Sequence, residues 1–350
     1  MLVRRLYLKN FRNYSELKIE FYPGKNILEG PNGHGKTNLL EAICMLSVGK
    51  SFRVKTDSNL IKIGEKEAFI VADVENIHGN FNIEMRLSRF KNKAVKINGV
   101  AIEKISDMFG ILNTVVFSPE DLKIIREGPK ERRLFVDREI SQMRPRYYSF
   151  LRDYYKILER RNLLLKTEKP DPDLISVYET QLAKEGKEIM KYRTEFLEDL
   201  NIRAAENHAL ISNDMENLII KYTPNIKNED DYTEVLQSVR QEDMFRGYTS
   251  RGVHKDDFSI LINDVELKNF GSQGQKKSAA ASLKLSEIAM ILSIDGEYPV
   301  VLLDDIFSEL DLTRRNNITE YTGINQTFIT SAEKSDIDGK HFYVYNGTIT

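Results

Sequence analysis

Eight consecutive residues constrain this chain more than any others: Gly30-Pro31-Asn32-Gly33-His34-Gly35-Lys36-Thr37. They satisfy the pattern G-x-x-x-x-G-K-[ST], with the apolar strand end Ile27-Leu28 before them and an apolar helical stretch, Leu39 to Leu46, after them. Strand, glycine turn and helix in succession begin an α/β sheet. Glycines at 30, 33 and 35 let the backbone wrap a phosphate, the N–H groups and the helix start attract the anion, Lys36 reaches the β- and γ-phosphates, and Thr37 holds Mg²⁺. The plainer alternative is a glycine turn capped by Thr37 that matches by chance. The flanking strand and helix weigh against it, so Gly30, Asn32, Gly33, Gly35, Lys36 and Thr37 are candidate ATP contacts.

A second signal is Pro299-Val300-Val301-Leu302-Leu303-Asp304-Asp305, a continuous apolar strand that ends in two carboxylates. An acidic turn after a core strand is common in isolation. Beside a phosphate loop it reads as Asp304 holding Mg²⁺ through water, with Asp305 orienting or deprotonating the attacking water. A third is Phe270-Gly271-Ser272-Gln273-Gly274-Gln275, which opens an Ala-rich helical stretch from Lys276 to Leu292. Ser272 is a plausible helix cap. It could equally offer its hydroxyl, together with the Gly274 N–H and the helix dipole, to a γ-phosphate.

Around these motifs the period of the sequence changes twice. Leu2 to Leu8 and Leu17 to Phe21 alternate as half-buried strands do, Ala68 to Val74 and Phe81 to Leu87 form another alternating pair, and Asn98-Gly99 marks a hairpin. Ser118-Pro119-Glu120-Asp121 then reads as a helix start. Tyr147, Leu151, Tyr154 and Leu158 share one helix face, as do Tyr178, Leu182, Ile189, Phe196 and Leu200 on a second, longer helix after the break at Lys169-Pro170-Asp171-Pro172. Strands return from Phe258 to Ile262, and a final hairpin is expected at Asn346-Gly347. The expected division is an α/β head from 1–120 and 241–350, with a helical lobe, 121–240, inserted into it.

Charge is uneven across that lobe. Residues 121–170 carry 14 Lys and Arg against 8 Asp and Glu, whereas residues 171–240 carry 8 against 15. The whole chain has 51 basic and 53 acidic residues and a formal charge of −2, which excludes a uniformly basic nucleic-acid coat but not a local patch. Arg132 and Arg133, within the basic segment, are candidates for phosphate contact, although helix-surface charges are ordinarily just solvated. The single cysteine, Cys44, excludes an internal disulfide framework and fits a reducing compartment, with the cytoplasm as the default. The N-terminus does not read as a signal peptide, and no apolar run is long enough to span a bilayer.

The order phosphate loop, helical insertion, SxGQ, double carboxylate resembles the ABC-type ATPase heads. Within that superfamily the strings Leu6-Tyr7-Leu8-Lys9-Asn10-Phe11-Arg12-Asn13-Tyr14, Gly35-Lys36-Thr37-Asn38-Leu39-Leu40-Glu41-Ala42-Ile43, Gly49-Lys50-Ser51-Phe52-Arg53, His254-Lys255-Asp256-Asp257 and Leu302-Leu303-Asp304-Asp305-Ile306-Phe307-Ser308-Glu309-Leu310-Asp311 are similar to the RecF family. The resemblance covers essentially the whole chain. It implies that Ser272, Gly274 and Gln275 of one subunit close on ATP held by another, so that the homodimer depends on ATP, and that Arg12, Asn38 and Asp311 also serve the nucleotide. It further implies binding to gapped duplex and single-strand/double-strand junction DNA, and action with RecR and RecO in placing RecA on single strands, with hydrolysis as the reset. Length agrees, because SMC-type relatives carry long heptad arms between the two halves of the head and this insertion leaves no room for them.

Two departures from the wider ABC pattern point to slow turnover. Asp305 stands where most members carry Glu, and Gln326-Thr327-Phe328-Ile329-Thr330-Ser331 ends in Ser where a transporter carries a switch His. No Gln lies near Phe117-Ser118-Pro119-Glu120, so the Gln-loop role has no candidate, and His34 reads as a bystander at a variable loop position. The competing readings are the ATPase subunit of a membrane transporter and a purely structural ATP-dependent dimer; the Asn10-Phe11-Arg12 opening and the missing His argue against the transporter.

Overall fold

The computed structural model describes residues 1–305 and 326–350. In chain order its elements begin with β1 (Leu2–Phe11), β2 (Tyr14–Glu20), β3 (Lys25–Glu29), α1 (Lys36–Val48), β4 (Glu67–Asn76), β5 (Gly79–Ser88), β6 (Ala94–Ile97), β7 (Val100–Ala101) and β8 (Thr114–Phe117). There follow α2 (Leu122–Arg126), α3 (Pro129–Met143), α4 (Pro145–Leu165), α5 (Pro172–Ser212), β9 (Leu218–Thr223), α6 (Tyr232–Ser238), α7 (Arg240–Arg246), β10 (Asp257–Ile262), β11 (Val265–Glu266), α8 (Leu267–Phe270) and α9 (Gln273–Asp295). The last are β12 (Val300–Leu303), β13 (Thr327–Ser331), β14 (Lys340–Tyr345) and β15 (Thr348–Ile349). Two compact units divide the chain, one formed by Met1–Asp121 and Ala281–Thr350, the other by Leu122–Ala280.

The first unit contains two sheets. One is antiparallel throughout, in the order β2-β1-β4-β5-β6-β7, and its alternation is visible in β1, where Val3, Leu6, Leu8 and Phe11 are buried. The other has the order β15-β14-β3-β13-β12-β8, with every neighbouring pair parallel except the closing hairpin β14-β15. β12 is apolar without interruption and all four of its residues are buried, as a parallel strand covered on both faces requires. Asn346 and Gly347, both at positive φ, turn the last hairpin. α1 is apolar nearly all round, with Leu39, Leu40, Ala42, Ile43, Cys44, Met45 and Leu46 buried, so it is a core helix rather than a surface one.

In the second unit α5 runs for 41 residues from a side-chain cap, Asp171, which accepts from the Asp173 N–H at 2.9 Å. Tyr147, Tyr154 and Leu158 of α4 and Leu182, Ile189, Phe196 and Leu200 of α5 are buried, the faces that the helical period picks out. The stretch 121–240 is not helical throughout, however. β9 lies within it and pairs antiparallel with β10, Ile220 opposite Ile260, in the three-stranded sheet β11-β10-β9. Its partner comes far later in sequence, so no local hairpin signal marks it.

Two guanidinium groups sit in the interior of this unit, each neutralised from several directions, as burial of an ion demands. Arg193 donates to Asp137 Oδ1 at 2.8 Å, to Asp256 Oδ2 at 2.8 Å, to the Val253 carbonyl at 2.6 Å and to the Tyr147 hydroxyl at 3.1 Å. Arg161 donates to Asp243 at 2.7 Å, to the Thr249 hydroxyl at 2.7 Å and to Glu179 at 2.9 Å. The residues between Thr249 and Asp257 are thereby tied to α3, α4, α5 and α7. Among the described residues no helix is long and apolar enough to cross a membrane.

Candidate functional site

β3 delivers the chain to the phosphate loop and α1 carries it away. Two of the loop's glycines stand where a side chain would collide: at Gly30 (φ 138°) a Cβ would lie 2.3 Å from the Val344 carbonyl oxygen, and at Gly35 (φ 120°) it would lie 2.7 Å from the Asn13 side chain. Neighbouring groups hold the loop's carbonyls. The Tyr14 hydroxyl donates to Gly35 O at 3.0 Å, and Asn13 Nδ2 donates to His34 O at 2.8 Å. Asn38 donates to Asn13 Oδ1 at 2.9 Å, extending the same chain into α1. His34 stacks on Tyr345 at 4.7 Å and accepts the Asn346 N–H at Nδ1, so it serves as an anchor for the β14-β15 hairpin. Lys36 turns back over the loop and donates to Gly30 O at 2.5 Å and Pro31 O at 2.9 Å. Burial lowers its pKa, while the carboxylates of Asp305 and Asp304 push the other way.

Parallel pairing brings the second motif to the same place. β12 pairs with β13, which pairs with β3, so the carboxyl ends of all three strands open on one edge of the sheet, the place where open α/β sheets bind ligands. Thr37 donates its hydroxyl to Asp304 Oδ1 at 2.7 Å. Asp304 is buried, and desolvation raises its pKa; hydrogen bonds from Thr37 and Thr330 and the charge of Arg53 lower it again, and the charge of Asp305 adds to the rise. Asp305 sits in the left-handed region, φ 52°, and its N–H donates to the Thr330 hydroxyl at 2.8 Å.

These groups suit Mg²⁺. A hydroxyl and a carboxylate oxygen in contact are hard donors, and among the described residues no cluster of three or more His, Cys, Asp or Glu could hold a metal by itself. A cation here would therefore take its remaining ligands from water and phosphate oxygens, which is how Mg²⁺ is ordinarily bound.

Arg12 lies on the other flank of α1. It donates to both oxygens of the wholly buried Glu41 at 2.8 Å and to the Asn59 carbonyl at 3.0 Å, so each of its nitrogens has a partner within the chain. Glu41 also accepts from Ser51, and Arg53 donates to Asn38 Oδ1 at 3.1 Å. Sequence reasoning assigned no role to Glu41, Ser51, Arg53 or Thr330. The first three lie in the quoted family strings, and the signal for Thr330 is its register, one residue beyond the Leu303–Ile329 pair.

Ser272, Gly274 and Gln275 belong to the second unit. Ser272 and Gln275 form a reciprocal cap at the start of α9, the Gln275 N–H donating to Ser272 Oγ at 3.1 Å and the Ser272 N–H to Gln275 Oε1 at 2.8 Å. Gln275 also donates to Glu216 at 3.0 Å. Arg132 is buried in a two-point fork with Asp257, at 2.6 and 2.8 Å, and donates to Glu127 O at 2.9 Å; a DNA phosphate would have to displace a carboxylate to reach it. Arg133 is half-buried and donates to the Asp256 carbonyl at 2.7 Å. At the segment without a Gln, the Ser118 N–H donates to Asp121 at 2.6 Å. Asp311 lies outside the described residues.

Residues 2–340 match the family model described as the RecF/RecN/SMC N terminal domain. A protein of Alkaliphilus oremlandii described as DNA replication and repair protein RecF is 41% identical, with all of both chains covered. One of Clostridioides difficile with the same description is 42% identical over 99% of this chain and 96% of its own. Among solved structures, the recombination mediator protein RecF with ATP, described in the RecFOR pathway, superposes with a TM-score of 0.95 at 37% identity, covering 99% of this chain and 96% of that one. An Smc head domain from Pyrococcus furiosus has a TM-score of 0.56 at 19% identity, a likeness of fold alone.

Proposed function

The chain belongs to the RecF/RecN/SMC N-terminal domain family and stands with its RecF members, and from that premise we propose that it is an ATP-dependent DNA-binding protein of recombinational repair and replication restart. ATP closes two copies on gapped duplex or on single-strand/double-strand junctions. There the dimer helps RecO and RecR place RecA, and slow hydrolysis releases it. The observation that carries the reading is the 2.7 Å contact between Thr37 and Asp304, which joins the phosphate loop to the strand that ends in two carboxylates.

The chemistry is phosphoryl transfer to water, and the residues divide it by position. The loop N–H groups and the start of α1 hold the phosphates. The Lys36 ammonium, now spent on two loop carbonyls, swings to the β/γ-phosphate oxygens and neutralises charge there. Thr37 and Asp304 are the residues that would hold Mg²⁺, which when bound polarises the terminal phosphate. Asp305 would orient the attacking water and take its proton. Its side chain is one methylene shorter than Glu, consistent with slow turnover. Ser272, Gly274 and Gln275 would meet the γ-phosphate from a second copy, and Asp311 would complete the site.

The relatives at about 40% identity are DNA replication and repair proteins over their full length, so the transporter alternative is not retained. Fluorescence anisotropy of a labelled gapped duplex, with ATP, with ADP and without nucleotide, tests the proposal. Binding tighter with ATP than with ADP is expected, and equal binding in all three conditions would overturn it.

A further inference from the structure

β12 and β13 run parallel in the register Val301–Thr327, Leu302–Phe328 and Leu303–Ile329. The ladder stops at those pairs, yet two backbone N–H groups follow it and both need acceptors, being close to the core. The Asp304 N–H finds the Phe117 carbonyl at 2.8 Å, on β8. The Asp305 N–H finds a side chain instead, the Thr330 hydroxyl at 2.8 Å. The same hydroxyl donates its own hydrogen to Asp304 Oδ1 at 3.3 Å. Thr330 is 3% exposed, so bulk water does not stand in for either bond.

One oxygen thus touches the backbone of one carboxylate residue and the side chain of the other. Its effect on Asp305 is the larger. A non-glycine residue at φ 52° is held away from its preferred backbone region and stays there only where its surroundings insist. The bond from the Asp305 N–H to Thr330 is such a constraint, and it sets the direction in which the Asp305 side chain leaves the strand. On Asp304, the hydroxyl approaches the same oxygen that Thr37 reaches from the start of α1.

We propose that Thr330 is a positioning residue for ATP hydrolysis, fixing Asp305 for the attacking water and Asp304 for the metal through its single hydroxyl. The inference rests on the ATPase reading above and adds to it the group that sets the geometry of both carboxylates. A serine would do the same work, because only the oxygen is used. A valine has the same shape and lacks the oxygen.

The test uses the full-length chain in three forms, wild type, Thr330→Val and Thr330→Ser. Steady-state hydrolysis is measured over a range of Mg²⁺ concentrations, and ATP affinity by equilibrium binding of a fluorescent ATP analogue. If wild type does not hydrolyse ATP, the ATPase reading itself fails. If it does, Thr330→Val should lose about 10- to 100-fold in turnover, the usual loss when a residue orienting a metal or catalytic ligand is removed, and should need more Mg²⁺ for half-maximal rate. Nucleotide affinity should stay within a few-fold, and Thr330→Ser should restore both rate and Mg²⁺ dependence. Thermal melts of all three show how much of any loss is unfolding. A folded Thr330→Val that turns over at the wild-type rate with unchanged Mg²⁺ dependence would overturn the proposal, as would a Thr330→Ser no better than the valine.

Discussion

Arg12 lays Nε and Nη2 on the two oxygens of Glu41, 2.8 Å each, and so fastens the turn between β1 and β2 to the helix that leaves the phosphate loop. Glu41 is fully buried and Arg12 half-buried. Removing the arginine strands a wholly buried carboxylate, so Arg12→Ala should cost about 3–5 kcal/mol of unfolding free energy. Glu41→Gln, which keeps the acceptor and loses the charge, should cost about 1–3 kcal/mol. Urea unfolding without nucleotide measures both. Midpoints equal to wild type would show that the fork carries no stability, leaving Arg12 free to act on the nucleotide.

Lys36→Met should abolish hydrolysis, because no other cation in the loop can take the ammonium's place at the phosphates. Asp305→Asn should behave differently: it keeps ATP and accumulates the dimer, since the step it blocks follows closure. Turnover by phosphate release and mass by sedimentation separate the two. An Asp305→Asn variant that hydrolyses at the wild-type rate would remove Asp305 from the mechanism.

DNA affinity should fall with salt in the ATP state, by about 0.9 in log affinity per log salt for each phosphate neutralised, and the slope should be shallower with ADP. Arg133→Glu should weaken binding across sequences and leave ATP affinity alone. Arg132→Glu is expected to do something else, because its fork with Asp257 is internal. It should lower stability by about 1.5–3 kcal/mol, the range for hydrogen bonds to charged groups. Anisotropy at several salt concentrations, paired with urea unfolding, distinguishes a lost DNA contact from a loosened lobe. An Arg132→Glu protein as stable as wild type would return Arg132 to the surface as a DNA candidate.

His254 should make the second unit acid-labile. Its Nε2–H donates to Thr249 O at 3.0 Å and its Nδ1 accepts from the Tyr154 hydroxyl at 2.8 Å, which fixes the neutral ring. Burial depresses its pKa from 6.5 to about 4; the Thr249 bond pulls upward against it, and the charges of Lys255, Arg133 and Arg193 add to the fall. Unfolded His254 binds a proton below about 6.5 and folded His254 only below about 4, so the unfolded state gains protons first. Stability should therefore fall by roughly 3 kcal/mol as pH drops through that window, with no further loss from this group beneath it. Urea unfolding from pH 7.5 to 4.5 for wild type and His254→Gln tests this. Parallel curves would clear His254 of responsibility.

The parts of the site that the sequence made legible are those written in a single short stretch. Gly30 to Thr37 announces its own strand, turn and helix, and Val300 to Asp305 announces a core strand with an acidic end. Thr330 is illegible in that way, since its meaning comes from lying beside Asp304 across a parallel ladder, and parallel register is set by distant chain. Glu41 reads as one more polar residue on an apolar helix until Arg12 and Ser51 are seen converging on it. The same holds for β9, whose partner β10 is separated from it by α6 and α7, and for Arg132, whose carboxylate partner, Asp257, lies far along the sequence.

Among the described residues, the strand that introduces the phosphate loop pairs with β13 and β14 alone, formed by residues 327–331 and 340–345. During synthesis β3 therefore waits, with both backbone edges unsatisfied, until some three hundred further residues have been added; at about 5–20 residues per second that is roughly 15–60 s. A nascent chain cut short before residue 327 has the loop sequence without the sheet that shapes it, so ATP cannot act as an early folding ligand for this protein. Quality control by nucleotide binding is deferred to the last stretch of the chain, and a truncated product announces itself to chaperones and proteases as an unpaired edge.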